Sequence, residues 1–332
     1  MKKEIMKLNH AKIYSKEKQK IERKLFSLLD KDKPNSLYEP CRYILKSGGK
    51  RIRAILVLLS AKAVGAKYSK AYNAAAAVEI LHNFTLVHDD IMDNANKRRG
   101  VQTLHVKYDL STAILTGDNL IAVAYLNLLK DCPADSRNIF KSFTQGVIEV
   151  CEGQSLDKDF ESRVNVSLDE YMIMIQKKTA ALSEMCCSIG AQIGGGTVQQ
   201  INKLKNYGRN LGIAFQLQDD LLDIIGDEDK FGKKVGGDLV EGKKTYLFLK
   251  ALQKAKGQNK KLLKNVIKNG GIEQNQVKIY RDIYHELNII EDTKNEVEKF
   301  TKRALNSAKQ IEDFEAQEML IWLANSLLNR NK

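Results

Sequence analysis

The stretch Leu81-His82-Asn83-Phe84-Thr85-Leu86-Val87-His88-Asp89-Asp90-Ile91-Met92-Asp93 is an apolar segment that ends in three carboxylates. Its spacing predicts a helix, and in a helix Asp89 and Asp93 lie four residues apart on one face. Two carboxylates on one face repel each other unless a cation lies between them. Hard oxygen ligands favour Mg²⁺, which takes one or two carboxylates together with the phosphate oxygens of a substrate. The stretch therefore indicates either half of a magnesium site or a solvated acidic helix end.

A second copy of the pattern follows another apolar run, at Phe215-Gln216-Leu217-Gln218-Asp219-Asp220-Leu221-Leu222-Asp223. The polar residues of this copy form one helical stripe, at positions i, i+3, i+4 and i+7: Gln216, Asp219, Asp220 and Asp223. An isolated acidic cluster is most often a solvated surface. Two copies of one spacing, each after an apolar helical run, favour metal binding instead.

The composition predicts an all-α fold. Only three of the 332 residues are proline, and the apolar residues recur at spacings of three and four, with no series of alternating strands. We expect one domain over 1–332, made of an N-terminal amphipathic helix (1–32), a catalytic core (33–250) and C-terminal helices (251–332). Helices are predicted over 70–94, 110–131, 135–160, 167–194 and 198–226. Breaks or caps are predicted at Ser36, at 116–118, at 152–157, at 269–271 and near Asp292.

Charge and cysteine content limit the function classes. The net charge of +13 suits nucleic acid, an anionic membrane or phosphorylated small molecules as partners. The lysines are spread along the chain without an aromatic-interleaved basic motif, so nucleic acid has no specific support. The five cysteines form no CxxC pair, and the chain shows neither a signal peptide nor an uncharged apolar window of about 18 residues. We therefore expect a cytoplasmic protein with no membrane span and no nucleic-acid partner.

Several basic stretches have the composition of anion sites. Gly48-Gly49-Lys50-Arg51-Ile52-Arg53 opens an apolar helix, whose N-terminus offers free N–H groups and a positive dipole end. Arg98 and Arg99 follow the first aspartates, and Lys178-Thr179 lies within a predicted helix. The Gly/Lys-rich loop over 227–245 follows the second aspartates and has the length of a functional lid. The alternative in each case is surface lysine or arginine. For Gln154 and Asp157, buried hydrogen bonding is preferred over a role in the site.

Taken in order, these motifs resemble those of the trans-isoprenyl diphosphate synthases (polyprenyl synthetases). The resemblance rests on the following residues and stretches: 48–53, His82, 89–93 with 98–100, Lys178-Thr179, Phe215-Gln216, 219–223, and Gly232-Lys233 through Lys243. It covers roughly residues 40–250. Each motif alone is ordinary, but the ordered set is highly specific.

The resemblance implies an all-α bundle around a deep central cavity, usually a homodimer, that condenses isopentenyl diphosphate head-to-tail with an allylic diphosphate. It implies about three Mg²⁺ ions per active site, with Asp89, Asp93, Asp219 and Asp223 as ligands. The positions that match the allylic diphosphate site are Arg98, Lys178, Thr179, Phe215, Gln216, Lys233 and Lys243. Those that match the isopentenyl diphosphate site are Lys50, Arg53, His82 and Arg99. The catalytic set is expected to be Asp89, Asp93, Asp219, Lys178 and Arg98.

Product length depends on the residues just before the first aspartates. Phe84 and Thr85 lie five and four residues before Asp89, about one helical turn deeper. We expect the ring of Phe84 to form a floor that limits chain growth, with a purely structural core residue as the alternative. Phe-Thr before an uninterrupted aspartate motif resembles archaeal-type enzymes that make geranylgeranyl diphosphate from dimethylallyl, geranyl or farnesyl primers. Farnesyl diphosphate or a longer polyprenyl diphosphate is the alternative product.

Three other functions are weighed against this one. A class I terpene cyclase or a squalene/phytoene-type synthase shares the architecture, but Lys50 and Arg53 provide for a second diphosphate and favour condensation. A catalytically silent subunit tends to lose aspartates or arginines, and here all are intact. A basic helical nucleic-acid binder would require both aspartate stripes to be incidental, and its binding would weaken steeply with salt.

Overall fold

In the computed structural model, which describes residues 2–30, 32–226 and 235–328, the chain is almost entirely helical. The helices of the first half are α1 (Lys2–Ser27), α2 (Asn35–Lys46), α3 (Ile52–Ala63), α4 (Tyr72–Met92), α5 (Leu104–Lys107), α6 (Leu110–Leu129) and α7 (Arg137–Ser162). Those of the second half are α8 (Leu168–Ile175), α9 (Ala181–Gly194), α10 (Val198–Ile225), α11 (Gly237–Val240), α12 (Tyr246–Lys254), α13 (Gly257–Asn269), α14 (Val277–Glu286), α15 (Ile289–Ala308) and α16 (Phe314–Leu328). The predicted all-α class is confirmed.

Shorter elements complete the backbone. A π-helical turn (Gln176–Ala180) joins α8 to α9, and 3₁₀ turns cover Tyr68–Ala71 and Gln274–Gln276. Two strands of two residues, β1 (Lys97–Arg98) and β2 (Val101–Gln102), form an antiparallel hairpin in which Lys97 lies opposite Gln102. The sequence predicted only a polar turn at this hairpin.

The chain divides into two compact units, each assembled from separate segments. The first unit comprises Met1–Phe143, Met185–Lys205 and Gln310–Trp322. The second comprises Thr144–Glu184, Asn206–Lys309 and Leu323–Lys332. The organisation of 1–332 as one functional domain stays a prediction.

The core of the first unit contains α3 and the N-terminal half of α4, which packs mainly against α6 and α3. In α3 every residue from Ala54 to Ala61 is buried, and in α4 the run from Ala74 to Leu81 is buried as well. Helices buried on all sides carry apolar residues all round rather than on one stripe. The alanines of α4 let neighbouring helices approach closely. This packing fixes the C-terminal end of α4, where the first aspartates lie.

The second unit has its own apolar core, which contains one face of α10 and most of α12. Leu217, Leu221 and Ile224 of α10 recur at helical spacing and are at most 2% exposed. They belong to the same buried cluster as Leu247 and Phe248 of α12. The second aspartates alternate with these apolar residues, with Asp220 buried as well and Asp219 and Asp223 half-buried.

Two glycine-containing stretches were wrongly predicted to break helices, since both α6 and α7 are continuous through them. In α6, a Cβ on Gly117 would lie 2.2 Å from Nε2 of His88. In α7, a Cβ on Gly153 would lie 2.1 Å from the backbone nitrogen of Lys178. Each glycine is therefore needed for the close approach of another element. This packing offsets the cost of about 1 kcal/mol that glycine carries relative to alanine within a helix.

Two smaller predictions about helix ends were also wrong. Ser36 does not cap α2, because the helix begins one residue earlier, after Pro34, without a side-chain cap. The turn expected near Asp292 lies at Leu287–Asn288, and Asp292 is in the first turn of α15. The predicted turn after Asn269 is confirmed, with Gly270 in the left-handed region at φ 68°.

Among the described residues, α6 is the one helix long and apolar enough to cross a membrane by length and composition. A single such helix is weak support for a span, because core helices of soluble proteins pass the same test. Asp118 lies near its middle, which is why the sequence shows no uncharged window there.

Candidate active site

The first aspartates lie at the C-terminal end of α4, and their side chains differ in exposure and in partners. Asp93 is the residue that follows the last helical one, and its N–H still donates to the carbonyl of Asp89 at 2.9 Å. The side chain of Asp93 is exposed and that of Asp89 is half-buried. Asp90 is only 2% exposed and accepts from Nε of Arg98 at 2.6 Å. Burial raises the pKa of Asp90, and the charge of Arg98 opposes that rise.

The adjacent arginines of the hairpin reach different partners. Arg98, in β1, is held against Asp90. Arg99 sits at the hairpin turn with φ 53°, and its guanidinium donates to the carbonyl of Gly48. A Cβ on Gly49 would lie 3.0 Å from Nη1 of Arg99, and Gly49 has φ 139°, a conformation that favours glycine. The divergence agrees with the prediction that these arginines serve different diphosphates, which stays a prediction.

The four residues predicted to hold isopentenyl diphosphate lie together in the first unit. Nη1 of Arg53 lies 3.1 Å from Nε2 of His82. Arg99 contacts Gly48 and Gly49, which directly precede the exposed side chain of Lys50. Three cationic residues and an imidazole are thus linked to this segment by the Arg53–His82 and Arg99–Gly48 contacts. Such a cluster is suited to an anion with several oxygens, which Arg can bind in a bidentate manner.

His82 is held neutral in this cluster. Burial is the largest cause that lowers its pKa, followed by the charges of Arg53 and Arg99. A guanidinium can only donate, so Nε2 of His82 accepts from Arg53 and the ring hydrogen is on Nδ1. Nδ1 has no hydrogen-bond partner among the described residues. The imidazole can therefore donate through Nδ1, while its basic nitrogen is occupied by Arg53.

The predicted chain-length residues lie one turn below the first aspartates on α4. Phe84 is 9% exposed, and its ring meets that of His88 edge to face at a centroid distance of 4.7 Å. The hydroxyl of Thr85 donates to the carbonyl of His82 at 2.8 Å, so it bonds its own helix. Of the two, only Phe84 presents a large side chain. Its role as a floor stays a prediction.

The second unit contains a cavity of about 140 Å³ that includes several of the predicted allylic-site residues. Its lining residues are Asp157, Tyr171, Met174, Ile175, Lys178, Thr179, Gln216, Asp220, Asp238, Lys243, Lys244 and Thr245. Among the residues predicted for the allylic site, Lys178, Thr179, Gln216 and Lys243 are brought together here. Phe215 and Asp219 are half-buried on α10 and are not among the lining residues. Lys233 lies outside the described residues.

The π turn delivers two of these lining residues. Lys178 forms an ion pair with Asp157, and the hydroxyl of Thr179 donates to Oε1 of Gln216 at 2.9 Å. π turns are rare and often occur at functional sites. The turn passes over Gly153, where only hydrogen leaves room for its backbone. Neither interpretation of Lys178-Thr179 as surface or back-bonded residues holds, because both side chains line the cavity.

Asp220 is the most buried carboxylate of the second motif, 4% exposed. It accepts from the hydroxyl of Tyr171, from Nε2 of Gln216 at 3.0 Å and from the backbone N–H of Tyr246 at 3.2 Å. Burial is the largest cause that raises its pKa to about 7, followed by the charge of Asp238. Asp220 therefore holds α8, α10 and α12 together.

Asp223 and Asp238 form a second acidic pair close to the cavity. Oδ2 of Asp223 accepts from the backbone N–H of Asp238 at 3.2 Å. Burial raises the pKa of Asp223 to about 6, with Asp238 as the next cause. Lys243 lies 3.6 Å from Asp238 and 2.7 Å from Glu241. The carboxylates of this region thus carry more negative charge than the described cations compensate locally.

Sequence reasoning missed several residues that line the cavity. Asp157 was assigned to buried hydrogen bonding, but it lines the cavity and pairs with Lys178. Tyr171 and Asp238 were not singled out. Asp157 and Lys178 are brought together in space by the contact between α7 and the π turn. No local sequence pattern reveals that contact. Asp238 carried a weak signal, since it follows two glycines within the predicted loop.

The model of the polyprenyl synthetase family matches residues 34–286, which is more than half of the chain. The chain belongs to the polyprenyl synthetase family. It is 41% identical over 279 residues to the geranylgeranyl diphosphate synthase of Sulfolobus acidocaldarius, covering 83% of this chain and 84% of that protein. It is 37% identical over 300 residues to the short chain isoprenyl diphosphate synthase of Methanothermobacter thermautotrophicus, covering 90% and 91%. The crystal structure of geranylgeranyl pyrophosphate synthetase from Pyrococcus horikoshii matches with a TM-score of 0.90 at 35% identity, over 97% of this chain and 98% of that one.

This polyprenyl synthetase is accordingly a prenyltransferase that makes a prenyl diphosphate, and its all-α fold is that of its family. The predicted family, fold class and enzyme class are therefore confirmed. Isoprenoid diphosphates are its substrates, and Mg²⁺ is the cofactor that the family generally uses.

The carboxylates of this polyprenyl synthetase fit Mg²⁺. Among the described residues, no group of three or more His, Cys, Asp or Glu side chains forms a complete metal cage. Mg²⁺ does not require a complete cage of protein ligands, since it takes one or two carboxylates and completes its shell with water and substrate phosphate. Asp89 and Asp93 offer such a pair in the first unit, and Asp219 and Asp223 offer one in the second. A cation beside Asp223 would oppose the burial and the charge of Asp238 that raise its pKa.

Proposed function

We propose that this polyprenyl synthetase condenses isopentenyl diphosphate head-to-tail with dimethylallyl, geranyl and farnesyl diphosphate and stops at geranylgeranyl diphosphate. The observation that carries the proposal is the cluster of Lys50, Arg53, His82 and Arg99, with its 3.1 Å contact between Arg53 and His82. It supplies a set of anion-binding groups in addition to those of the 140 Å³ cavity. Condensation needs two diphosphates bound at once, whereas a terpene cyclase binds one.

The roles of the side chains follow from their chemistry. Lys50, Arg53 and Arg99 bind the diphosphate of isopentenyl diphosphate, and His82 donates to it through Nδ1. Lys178 and Lys243, which line the cavity, neutralise the allylic diphosphate, and the same role is predicted for Arg98. Mg²⁺, when bound to the aspartates, supplies further positive charge to the leaving diphosphate. A preorganised cationic setting of this kind is worth most where water is excluded.

The reaction itself breaks the allylic carbon–oxygen bond, and the diphosphate leaves with the electron pair. The double bond of isopentenyl diphosphate then forms the new carbon–carbon bond, and loss of a proton from the adjacent carbon restores a double bond. We propose that the released diphosphate accepts this proton. The support is that the basic nitrogen of His82 already accepts from Arg53. His82→Ala should raise the KM for isopentenyl diphosphate without a deuterium isotope effect on the lost hydrogen, and the appearance of such an effect would contradict this step.

The product is the least constrained part of the proposal. Geranylgeranyl diphosphate is supported by the name of the Sulfolobus relative and by the position of Phe84. Farnesyl diphosphate or a longer product remains the alternative, since the Methanothermobacter relative is named only for a short chain. We propose about three Mg²⁺ ions per site, the number suited to neutralising a diphosphate on several faces.

We also propose a homodimer and a cytoplasmic location. The dimer is supported by large apolar side chains on α6 that are 41–61% exposed: Leu110, Ile114, Leu115, Leu126 and Leu129. Large exposed apolar patches commonly mark protein interfaces. The location is supported by cysteines that form no disulfide among the described residues. Sedimentation of the wild type and of Leu126→Arg tests the dimer, and a wild-type monomer would contradict it.

One assay tests the enzymatic proposal. The protein is incubated with Mg²⁺, labelled isopentenyl diphosphate and each allylic primer in turn, and product length is measured by chromatography. Lys50→Ala should raise the KM for isopentenyl diphosphate, whereas Lys46→Ala, an exposed lysine at the end of α2, should not. If no primer leads to incorporation, the proposal is wrong. If the main product is farnesyl or longer than geranylgeranyl, the alternative product replaces it.

A further inference from the structure

The backbone of residues 48–53 has an unusual conformation that its own side chains do not explain. Gly48, Gly49 and Arg51 have φ values of 83°, 139° and 55°, and α3 begins directly afterwards at Ile52. Glycine adopts such values freely, but Arg51 has a Cβ and is disfavoured in the left-handed region. A residue held there is usually fixed by surrounding structure and is often part of a functional site. The question is which groups fix it.

Arg51 is fixed by a buried network of hydrogen bonds and ion pairs. Its side chain is 0% exposed, and Nη2 donates to the carbonyl of Leu45 at 2.8 Å. Nη1 donates to Glu79 of α4 at 3.2 Å, and Nε lies 3.6 Å from Glu22 of α1. A buried guanidinium is tolerated only when it is paired and hydrogen-bonded. Arg51 therefore positions its neighbours and does not itself bind phosphate.

The N-terminal helix α1 contacts the same segment at a second point. The hydroxyl of Tyr14 donates to the carbonyl of Lys50, the residue between Gly49 and Arg51. The ring of Tyr14 rests against Trp322 at a centroid distance of 5.6 Å, which holds the hydroxyl in place. Burial raises the pKa of Tyr14 to about 12, so the hydroxyl remains a donor at neutral pH. Two residues of α1, eight positions apart, thus hold two consecutive residues of this segment.

We propose that α1 is a functional part of the isopentenyl diphosphate site, in which Tyr14 and Glu22, together with Glu79, fix the backbone at Lys50 and Arg51. These contacts fix the backbone segment from which the side chains of Lys50 and Arg53, on either side of Arg51, project. Tyr14, Glu22, Arg51 and Glu79 are then positioning residues. The inference rests on the proposed assignment of Lys50 and Arg53 to isopentenyl diphosphate.

The test removes one hydroxyl and compares two substrates. Tyr14→Phe keeps the ring against Trp322 and removes the bond to Lys50. We expect the KM for isopentenyl diphosphate to rise about fivefold, the loss of one neutral hydrogen bond. The KM for the allylic primer and the melting temperature should stay unchanged. Arg51→Lys should raise the same KM further, because Lys cannot form the forked contacts of Arg.

The matched control is Tyr72→Phe. The hydroxyl of Tyr72 also bonds α1, but it does so through Glu17, which lies on α1 between the two residues that hold the 48–53 segment, Tyr14 and Glu22. This variant should leave both KM values unchanged. If Tyr14→Phe fails to fold, Glu22→Gln provides the same comparison.

Each outcome has a defined meaning. A selective rise in the KM for isopentenyl diphosphate supports the inference. An unchanged KM, or an equal rise for both substrates in Tyr14→Phe and Tyr72→Phe, overturns it, since α1 would then contribute only stability. Wild-type protein that forms no product with any primer refutes the proposed function instead, so the two failures are distinguishable.

Discussion

Gly153→Ala is the substitution that most directly tests how the lining of the cavity is built. Gly153 lies within α7 and is buried. An added Cβ would lie 2.1 Å from the nitrogen and 2.5 Å from Cα of Lys178, and 2.7 Å from the carbonyl carbon of Lys177. These are backbone atoms of the π turn, so no side-chain rotation relieves the overlap. Either α7 or the turn that carries Lys178 and Thr179 must move.

The expected magnitude follows from two opposing terms. Alanine is favoured over glycine in a helix interior by about 1 kcal/mol. Overpacking costs about 1–3 kcal/mol and occasionally more. Carbon atoms in contact are normally about 3.5–4.0 Å apart, so an overlap of more than an ångström against the backbone belongs at the upper end of that range. We expect a net loss of about 2 kcal/mol in the free energy of unfolding.

Activity should suffer more than stability. A shift of about 1 Å in a substrate-positioning group can reduce the rate about 100-fold. Lys178 and Thr179 line the cavity and are predicted to bind the allylic diphosphate, so kcat/KM for the allylic primer should fall by about this factor. The KM for isopentenyl diphosphate should change little, because Lys50, Arg53 and His82 belong to the other unit.

Gly117→Ala is the matched control, since it makes the same change inside α6. Its obstacle is the imidazole of His88, the end of a side chain that can rotate away. Urea unfolding and steady-state kinetics are measured for both variants. Gly153→Ala should be clearly less stable than Gly117→Ala and should lose the allylic kcat/KM selectively. Wild-type stability and kinetics in Gly153→Ala would refute the claim that the π turn requires glycine beneath it.

Three further predictions concern product length and acidity. Phe84→Ala should shift the products to longer chains in the primer assay, and an unchanged distribution would rule out the floor. Gly117→Ala should alter product length as well, because displacement of His88 removes the ring that packs at 4.7 Å against Phe84; identical products would show that His88 does not position Phe84. The folded state raises the pKa of Asp220 to about 7 and of Asp223 to about 6, so it binds protons more tightly than the unfolded chain. The melting temperature without Mg²⁺ should therefore fall as pH rises through these values, and scanning calorimetry that shows it rising would contradict this.

The helices that carry the two aspartate motifs could be predicted because their signal is local. Spacings of three and four are enough to place Asp89 with Asp93, and Gln216 with Asp220, on shared helix faces. The ends of these helices are also marked by nearby polar or glycine residues. A long, strongly periodic segment is the kind of element for which sequence patterns are most informative.

The sequence-based predictions that were wrong concern residues whose partners in the fold are distant in sequence. Gly117 and Gly153 were interpreted as helix breakers, because a local pattern shows only that glycine weakens a helix. What decides their role is the imidazole of His88 and the backbone of Lys178, 29 and 25 residues away. Asp157 was misassigned for the same reason, since its partner Lys178 is reached only through helix packing. Contacts between residues distant in sequence cannot be recognised from the residues that neighbour them along the chain.

In both aspartate motifs the three carboxylates differ in burial, and this difference follows from helix geometry. Successive residues on a helix are about 100° apart, so neighbouring aspartates of one motif face different surroundings. In each motif the first and last aspartates keep access to solvent, whereas the second, Asp90 or Asp220, is 2% or 4% exposed.

The buried aspartates hold neighbouring groups in place through hydrogen bonds and ion pairs. Asp90 holds Arg98 at 2.6 Å, and Asp220 receives the hydrogen bonds that tie α8 and α12 to α10. Replacing a buried acceptor by alanine would leave its donors unpaired, which costs more than the hydrogen bonds themselves are worth. One five-residue pattern thus leaves two carboxylates accessible, the pair predicted to bind a cation, and buries a third that holds the surrounding groups. Loss of activity on replacing the middle aspartate is therefore not by itself a sign of metal ligation.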